Sequence, residues 1–168
     1  MTITIEESGM SFGPFPEDKL FPIENSPLSK KLGAGIKVTE FVLLKEFAEK
    51  PLEIWFIEAK SSAPQQTAIF VEEIRQKFTN SVQLTVAACL RRHPGSIDHL
   101  PVGFLNLDLG SCVIKCILVI NNFPKEWMPD LRDSLNKAMN SMTKTLGLSP
   151  GSVIVINDEV ARARRLIR

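Results

Sequence analysis

The chain has 168 residues, the usual size of one domain, and 44% of them are apolar, which is enough to build a hydrophobic core. Its formal net charge is only +1, which excludes a strongly basic protein that binds nucleic acid through its overall charge. The sequence starts without the basic and apolar segments of a secretory signal, and no run of about 18 apolar residues is present. We therefore expect a cytoplasmic protein with no membrane partner.

The first part of the chain carries weak signals for secondary structure. Glycines and prolines interrupt residues 1–19, which predicts one N-terminal strand followed by an irregular lead-in. A short helix is predicted from about Leu20 to Leu32, where Gly33 stops it. We treat 1–168 as a single domain whose core is 20–168.

The middle of the chain predicts a β-hairpin followed by a long helix. The runs Ile36 to Phe47 and Leu52 to Ala59 are rich in β-branched and aromatic residues and are separated by a short turn. Apolar residues then recur at helical spacing from Ile69 to about Leu90. These segments form the order strand, strand, helix.

The last third of the chain alternates strands with helices. Cys112 to Ile120 is apolar on both faces except for one lysine, which is typical of a central strand. A helix is predicted from Trp127 to Leu146, a strand from Val153 to Ile156, and a terminal helix through about Leu166. This order predicts an α/β protein: a three-layer α/β/α sandwich around a mixed sheet of four to five strands. Trp55 and Trp127 are expected in the core.

Charged residues in the predicted hairpin are the best candidates for a functional site. Glu40 lies in an apolar strand, and strand alternation places Glu58 and Lys60 on one face of the partner strand. Two nearby carboxylates repel each other unless a positive charge lies between them, and Mg²⁺ accepts such oxygen ligands together with a backbone carbonyl. We therefore predict a Mg²⁺ site, in which Mn²⁺ can substitute, with Ala59 supplying the carbonyl.

These residues resemble the PD-(D/E)xK nuclease superfamily, with an acid on the first hairpin strand, the run Glu58-Ala59-Lys60 on the second, and a long helix afterwards. The resemblance extends from about Glu24 to Leu90. It implies a restriction-endonuclease-like fold and Mg²⁺-dependent hydrolysis of DNA in bacterial restriction, repair or phage defence. It also implies that Glu40 and Glu58 bind the metal, while Lys60 acts as catalytic base or charge stabiliser.

The same resemblance indicates further residues and a partner. Glu24 matches the position of an auxiliary metal-binding acid, and Gln76 and Lys77 match helix residues that assist the site in relatives. No appended DNA-binding domain is evident, so targeting would come from a homodimer or from another subunit.

Two alternatives stay open at this point, and a third lacks the motif that it requires. Arg91 and Arg92 can contact nucleic-acid phosphates, or they can complement the dipole at a helix C-terminus. The chain can also be a nuclease-like subunit that binds nucleic acid or a protein without catalysis, since Glu40 replaces the usual aspartate. A nucleotide-handling or transferase protein would need a glycine-rich loop between a strand and a helix, and Gly33-Ala34-Gly35 instead precedes a strand.

Overall fold

The computed structural model describes all residues, 1–168. It contains seven strands and four α-helices in one continuous order. In chain order they are β1 (Thr2–Glu7), β2 (Met10–Pro16), β3 (Leu20–Phe21), α1 (Pro27–Lys31), β4 (Phe41–Lys45), β5 (Glu53–Lys60), α2 (Thr67–Cys89), β6 (Val113–Ile120), α3 (Met128–Thr145), β7 (Val153–Asn157) and α4 (Asp158–Ala163).

The centre of the molecule is a five-stranded mixed sheet with the order β3-β4-β5-β6-β7. The strands β3, β4 and β5 are antiparallel, whereas β5, β6 and β7 are parallel. The helices α2 and α3 make the two parallel crossovers, and both crossovers move the same way across the sheet. Because such connections are right-handed, both helices lie on one face. The prediction of an α/β protein with a mixed sheet is confirmed.

Two buried clusters lie on the two faces of this sheet. Ile54 and Phe56 of β5 face the cluster beneath α2 and α3. Trp55 and Ile57 face the other cluster, which β2, α4 and the last residues of the chain cover. The second outer layer is therefore mainly a β-hairpin, and the predicted helical cover on this face is limited to the short helix α4.

The first 32 residues differ most from the sequence prediction. A two-stranded sheet, β1-β2, replaces the single predicted strand. Leu20 and Phe21 pair with β4 rather than starting a helix, because both side chains are buried by that pairing. The helix there is only α1, and Ser26 caps it by accepting a hydrogen bond from the Ser29 N–H at 3.2 Å.

Two further predictions are corrected by the fold. The first hairpin strand begins at Phe41 instead of Ile36, so Glu40 lies immediately before β4 and not inside it. Trp127, which the sequence favours as a core residue, is 54% exposed, whereas Trp55 is buried as expected. None of the helices combines the length and the apolar character needed to cross a membrane.

Candidate active site

Glu58 and Lys60 lie at the carboxyl end of β5, on the face that α2 covers. Alternation along the strand directs them to the same side as Ile54 and Phe56. The Glu58 side chain is 0% exposed, while the Lys60 side chain remains 25% exposed. The strand end therefore buries the acid and leaves the lysine at the edge of solvent.

Glu40 is held against β5 by an irregular step in the ladder. The register pairs Phe41 with Ile57, yet the Glu40 N–H also donates to the Ile57 carbonyl at 3.1 Å. The Glu40 carbonyl accepts a hydrogen bond from the Glu24 N–H at 3.4 Å. The N–H and the carbonyl of Glu40 are thus both hydrogen-bonded, and the Glu40 side chain is only 9% exposed.

The segment before Glu40 leaves the sheet and attaches to α2. The Thr39 N–H donates to the Ser81 hydroxyl at 2.7 Å, and the Thr39 hydroxyl contacts the same oxygen at 3.0 Å.

Strand carbonyls alternate in direction, so the Ala59 carbonyl points to the same edge as the Ile57 carbonyl. It lies beyond the start of β4, on the side where Glu40 is held.

The most central cation is Lys77 of α2, which the sequence marks only as an auxiliary residue. Its Nζ lies 2.8 Å from Glu58 Oε1 and 3.6 Å from Glu40 Oε1. The two carboxylates therefore face the same ammonium group and the same side of the sheet. Gln76, the other predicted helix residue, donates to Glu72 at 2.9 Å on the exposed side of α2 and does not reach the site.

Lys60 also contacts Glu73, an acid that the sequence did not indicate as a site residue. Its Nζ lies 3.3 Å from Glu58 Oε1 and 3.2 Å from Glu73 Oε1. Glu73 also lies 3.8 Å from the Lys37 amino group. The signal available in the sequence is the four-residue spacing of Glu73 and Lys77, which places both on one helix face.

A second missed signal is a polar stripe on the buried face of α2. Lys77, Ser81 and Thr85 recur every four residues and are 8%, 0% and 1% exposed. Buried polar side chains at helical spacing require partners. Lys77 and Ser81 have their partners in Glu58 and Thr39, beside the site, whereas the Thr85 hydroxyl has no hydrogen-bond partner.

The electrostatics of the two buried acids follow from their surroundings. Burial, a hydrogen bond with Glu24 and the charge of Glu58 raise the pKa of Glu40 to about 9, against the opposing charge of Lys77. Burial also raises the pKa of Glu58, although Lys77 and Lys60 favour its ionised form. The site thus holds one acid that keeps its proton at neutral pH and one that two lysines surround.

The pKa values of Lys77 and Glu73 are both shifted toward the charged form of the side chain. Burial disfavours the charged form of Lys77, but Glu58 and Glu40 outweigh it and hold the pKa of Lys77 above its usual range. Burial also disfavours ionised Glu73, but Lys60 and Lys37 lower its pKa overall. From buried Glu58 toward solvent, acidic and basic side chains therefore alternate.

An open cleft of about 360 Å³ lies beside this cluster; Glu24, Glu73 and Lys77 line it, whereas Glu40, Glu58 and Lys60 do not. Glu24 lies in the turn before α1, and its role as an auxiliary acid stays a prediction. Two exposed lysines, Lys30 and Lys37, form the rim, and Lys30 takes part in no ion pair. Lys77 is buried in the lining of the cleft, whereas Lys30, Lys37 and Glu24 are exposed.

The oxygen donors at this point are of the type that a hard divalent cation binds, although Lys77 and Lys60 already bring positive charge there. Glu40 and Glu58 carry carboxyl groups, Ala59 carries a backbone carbonyl, and Glu58 Oε2 is buried without any hydrogen-bond partner. No group of three or more His, Cys, Asp or Glu side chains is gathered around one point. A bound ion would therefore take the carbonyl and water as further ligands.

Arg91 and Arg92 lie away from this cleft. Both are exposed and follow the C-terminal end of α2 at Cys89. Twelve residues of helical rise separate Lys77 from Cys89, about 18 Å along the axis, and the two arginines lie beyond that end of the helix. The structure does not bring these arginines to the candidate site.

Comparisons with protein-family models, with curated proteins and with solved structures gave no significant match. The membership of the PD-(D/E)xK superfamily therefore remains a prediction from the residues of the hairpin.

Proposed function

We propose that the protein is a Mg²⁺-dependent nuclease of the PD-(D/E)xK type, with a restriction-endonuclease-like fold, that hydrolyses phosphodiester bonds in DNA. The observation that carries this proposal is the convergence of Glu40 and Glu58 on one point at the end of a hairpin, with Lys60 beside them. Buried acids with raised pKa values are expensive to maintain, which favours a functional role. Bacterial restriction, repair or phage defence is the corresponding context.

Each residue of the site has a separate role in the proposed reaction. Glu40, Glu58 and the Ala59 carbonyl hold the cation, which supplies Lewis acidity for a phosphate oxygen and for water. Lys60, at the solvent edge, orients the attacking water and offsets charge that accumulates on the phosphate. Glu24, which lines the cleft, would serve as the auxiliary metal-binding acid.

The entrance of the cleft supports a nucleic-acid substrate. Lys30 and Lys37 lie where a phosphate backbone would pass, and the net charge of +1 leaves such local contacts as the source of affinity. Contacts of this kind bind without reading base sequence. Selection of a target therefore falls to a homodimer or to another subunit.

The test is a cleavage assay on the purified protein with single-stranded DNA, double-stranded DNA and RNA, in Mg²⁺, Mn²⁺ or chelator. We expect metal-dependent cleavage that Glu58→Ala abolishes. The matched control is Glu72→Gln, which changes an exposed acid of α2 that pairs only with Arg75 and Gln76. Cleavage that survives in Glu58→Ala, or that persists in chelator, would reject the proposal.

A second function is favoured by one observation, the Lys77 ammonium between Glu40 and Glu58. A permanent internal cation would stabilise the fold of a nuclease-like subunit that binds nucleic acid or a partner without cleaving. This subunit would bind oligonucleotides equally with Mg²⁺ and with chelator, and it would release no product with either. Metal-dependent binding would exclude it.

A further inference from the structure

Lys77 occupies an unusual position for a lysine in the middle of a 23-residue helix. It is 8% exposed, and its ammonium group reaches across to the sheet instead of extending to solvent. Nζ contacts the carboxylates of Glu58 at 2.8 Å and of Glu40 at 3.6 Å. The lysine thus ends between the two acids that we assign to the cation.

One carboxylate oxygen of the two acids has no hydrogen-bond partner. Glu58 Oε1 receives both Lys77 and Lys60, while Glu58 Oε2 is buried and has no partner. A carboxylate that binds a metal needs a free oxygen of this kind. One acceptor therefore remains available even though a cation already lies beside the pair.

The remaining charged groups around Lys77 fix the balance of the site. Glu24 and Glu73 line the cleft with it, and Lys60 and Lys37 pair with Glu73. A divalent ion at the carboxylates would meet the positive charge of Lys77 at close range in surroundings that screen charge poorly. The helix fixes the backbone of Lys77, but its four-carbon stem can turn the ammonium toward the cleft, where Glu73 lies.

We propose that Lys77 is an internal cation that fills the space between Glu40 and Glu58 in the metal-free protein and is displaced when a divalent ion binds. This rests on the proposed metal site and specifies how that site is controlled. Lys77 keeps the two acids folded together without metal and weakens divalent binding, so it sets the metal concentration at which the site loads. It is a positioning residue, not a ligand.

The experiment measures metal binding without nucleic acid. Mn²⁺ and Mg²⁺ are titrated by calorimetry into the wild type, Lys77→Met, which keeps the length of the side chain, and Lys137→Met as the matched control outside the site. Lys77→Met should bind at least tenfold more tightly than the wild type, about 1.4 kcal/mol. Lys137→Met should change affinity less than threefold, because Lys137 is an exposed residue of α3.

A second measurement uses the wild type and does not depend on the variant folding. The Lys77 ammonium should give a proton–nitrogen NMR signal that is protected from solvent exchange, assigned by its loss in Lys77→Arg. Saturating Mg²⁺, which is diamagnetic, should move this signal and remove its protection. An unchanged signal in metal-saturated protein would overturn the inference.

The outcomes separate this inference from the proposed function. Equal or weaker metal binding by Lys77→Met, in a protein that binds metal and cleaves, rejects the displacement of Lys77 and leaves the nuclease proposal standing. If neither the wild type nor Lys77→Met binds either ion, the proposed metal site is wrong and the inference falls with it.

Discussion

Glu58 shows most clearly how single residues shape the site. Its carboxylate is 0% exposed, and an unpaired buried charge costs several kcal/mol. Lys77 and Lys60 offset that cost at one oxygen and leave the other oxygen without a partner. Removing either lysine therefore changes both stability and chemistry, and the two effects have to be measured separately.

The roles of Glu58 and Lys60 can be separated by comparing binding with cleavage. Lys60→Ala should bind Mg²⁺ no more weakly than the wild type but lose at least about a hundredfold in cleavage rate, because the lysine acts on water and phosphate. Glu58→Ala should lose both properties, because it removes a ligand. Calorimetry and a single-turnover cleavage assay measure the two quantities.

The control for this comparison is Lys137→Ala, which removes an exposed lysine of α3 and should alter neither quantity. A parallel loss of metal affinity in Lys60→Ala and Glu58→Ala would show that Lys60 only supports the structure.

At the scale of the elements, the sequence predicts the hairpin, α2, β6, α3 and β7 well, because the helices have apolar residues at helical spacing and the strands are runs of β-branched or apolar residues. It fails in the first 32 residues, where glycines and prolines weaken the pattern and long-range pairing decides. Leu20 and Phe21 have no local reason to form a strand, and only pairing with β4 defines β3. Tertiary contact overrides the local preference there.

The same distinction applies to the site. Glu40, Glu58 and Lys60 can be found from strand alternation, since the period of two fixes which side chains share a face. The central place of Lys77 and the role of Glu73 depend on how α2 is rotated and positioned over the sheet. Helical spacing shows that the two share a face, but it does not show which strand residues that face meets.

The contact between Thr39 and α2 tests how the elements position Glu40. Ser81→Ala should leave the buried Thr39 N–H and hydroxyl without their partner, which costs about 1–3 kcal/mol in the free energy of unfolding. It should also weaken Mg²⁺ binding by displacing Glu40. Denaturant unfolding and calorimetry measure the two effects.

Ser141→Ala is the matched control, since Ser141 is an exposed residue of α3 and the change should stay within about 0.5 kcal/mol. A Ser81→Ala protein as stable as this control would show that Ser81 does not hold the segment.

The rim lysines give a prediction about the cleft as a whole. Lys30→Ala combined with Lys37→Ala should weaken oligonucleotide binding and reduce the slope of log affinity against log salt by about one for each lost phosphate contact. Fluorescence anisotropy at several salt concentrations measures this. Lys50→Ala, in the turn at the other end of β5, should leave affinity and slope unchanged.

Arg91→Ala combined with Arg92→Ala tests the competing surface, because these arginines follow the end of α2, about 18 Å along the axis from Lys77. If that pair reduces the slope and the rim pair does not, nucleic acid binds at the C-terminal end of α2.

At the scale of the whole molecule, the site lies where the antiparallel and parallel halves of the sheet meet. β5 belongs to both halves, and its carboxyl end faces the start of β4 on one side and the end of β6 on the other. The cluster therefore connects the sheet to α2, and a change of charge there affects the free energy of unfolding of the entire chain.

Stability should therefore depend on pH through Glu40. The folded pKa of about 9 lies above the unfolded value of 4.5, so folded Glu40 keeps a proton that the unfolded chain releases. Its contribution is fully present below about pH 4.5 and is lost as pH rises through 9. The slope approaches about 1.4 kcal/mol per pH unit between the two pKa values, and solvent screening of the carboxyl would narrow that pH window.

Glu40→Gln should remove this dependence, since the amide stays neutral. In chelator the variant should melt close to the wild type at pH 5 and above it at pH 8.5. Mg²⁺ should raise the wild-type melting temperature near pH 7.5, because binding to the folded state alone adds about 2.7 kcal/mol at a hundredfold excess over Kd. Glu40→Gln should gain much less. Thermal melts of both proteins across this pH range, with chelator and with Mg²⁺, supply the measurement. An equal gain in the two proteins, or no gain in the wild type, would show that Glu40 is not a ligand and would favour the nuclease-like binding subunit.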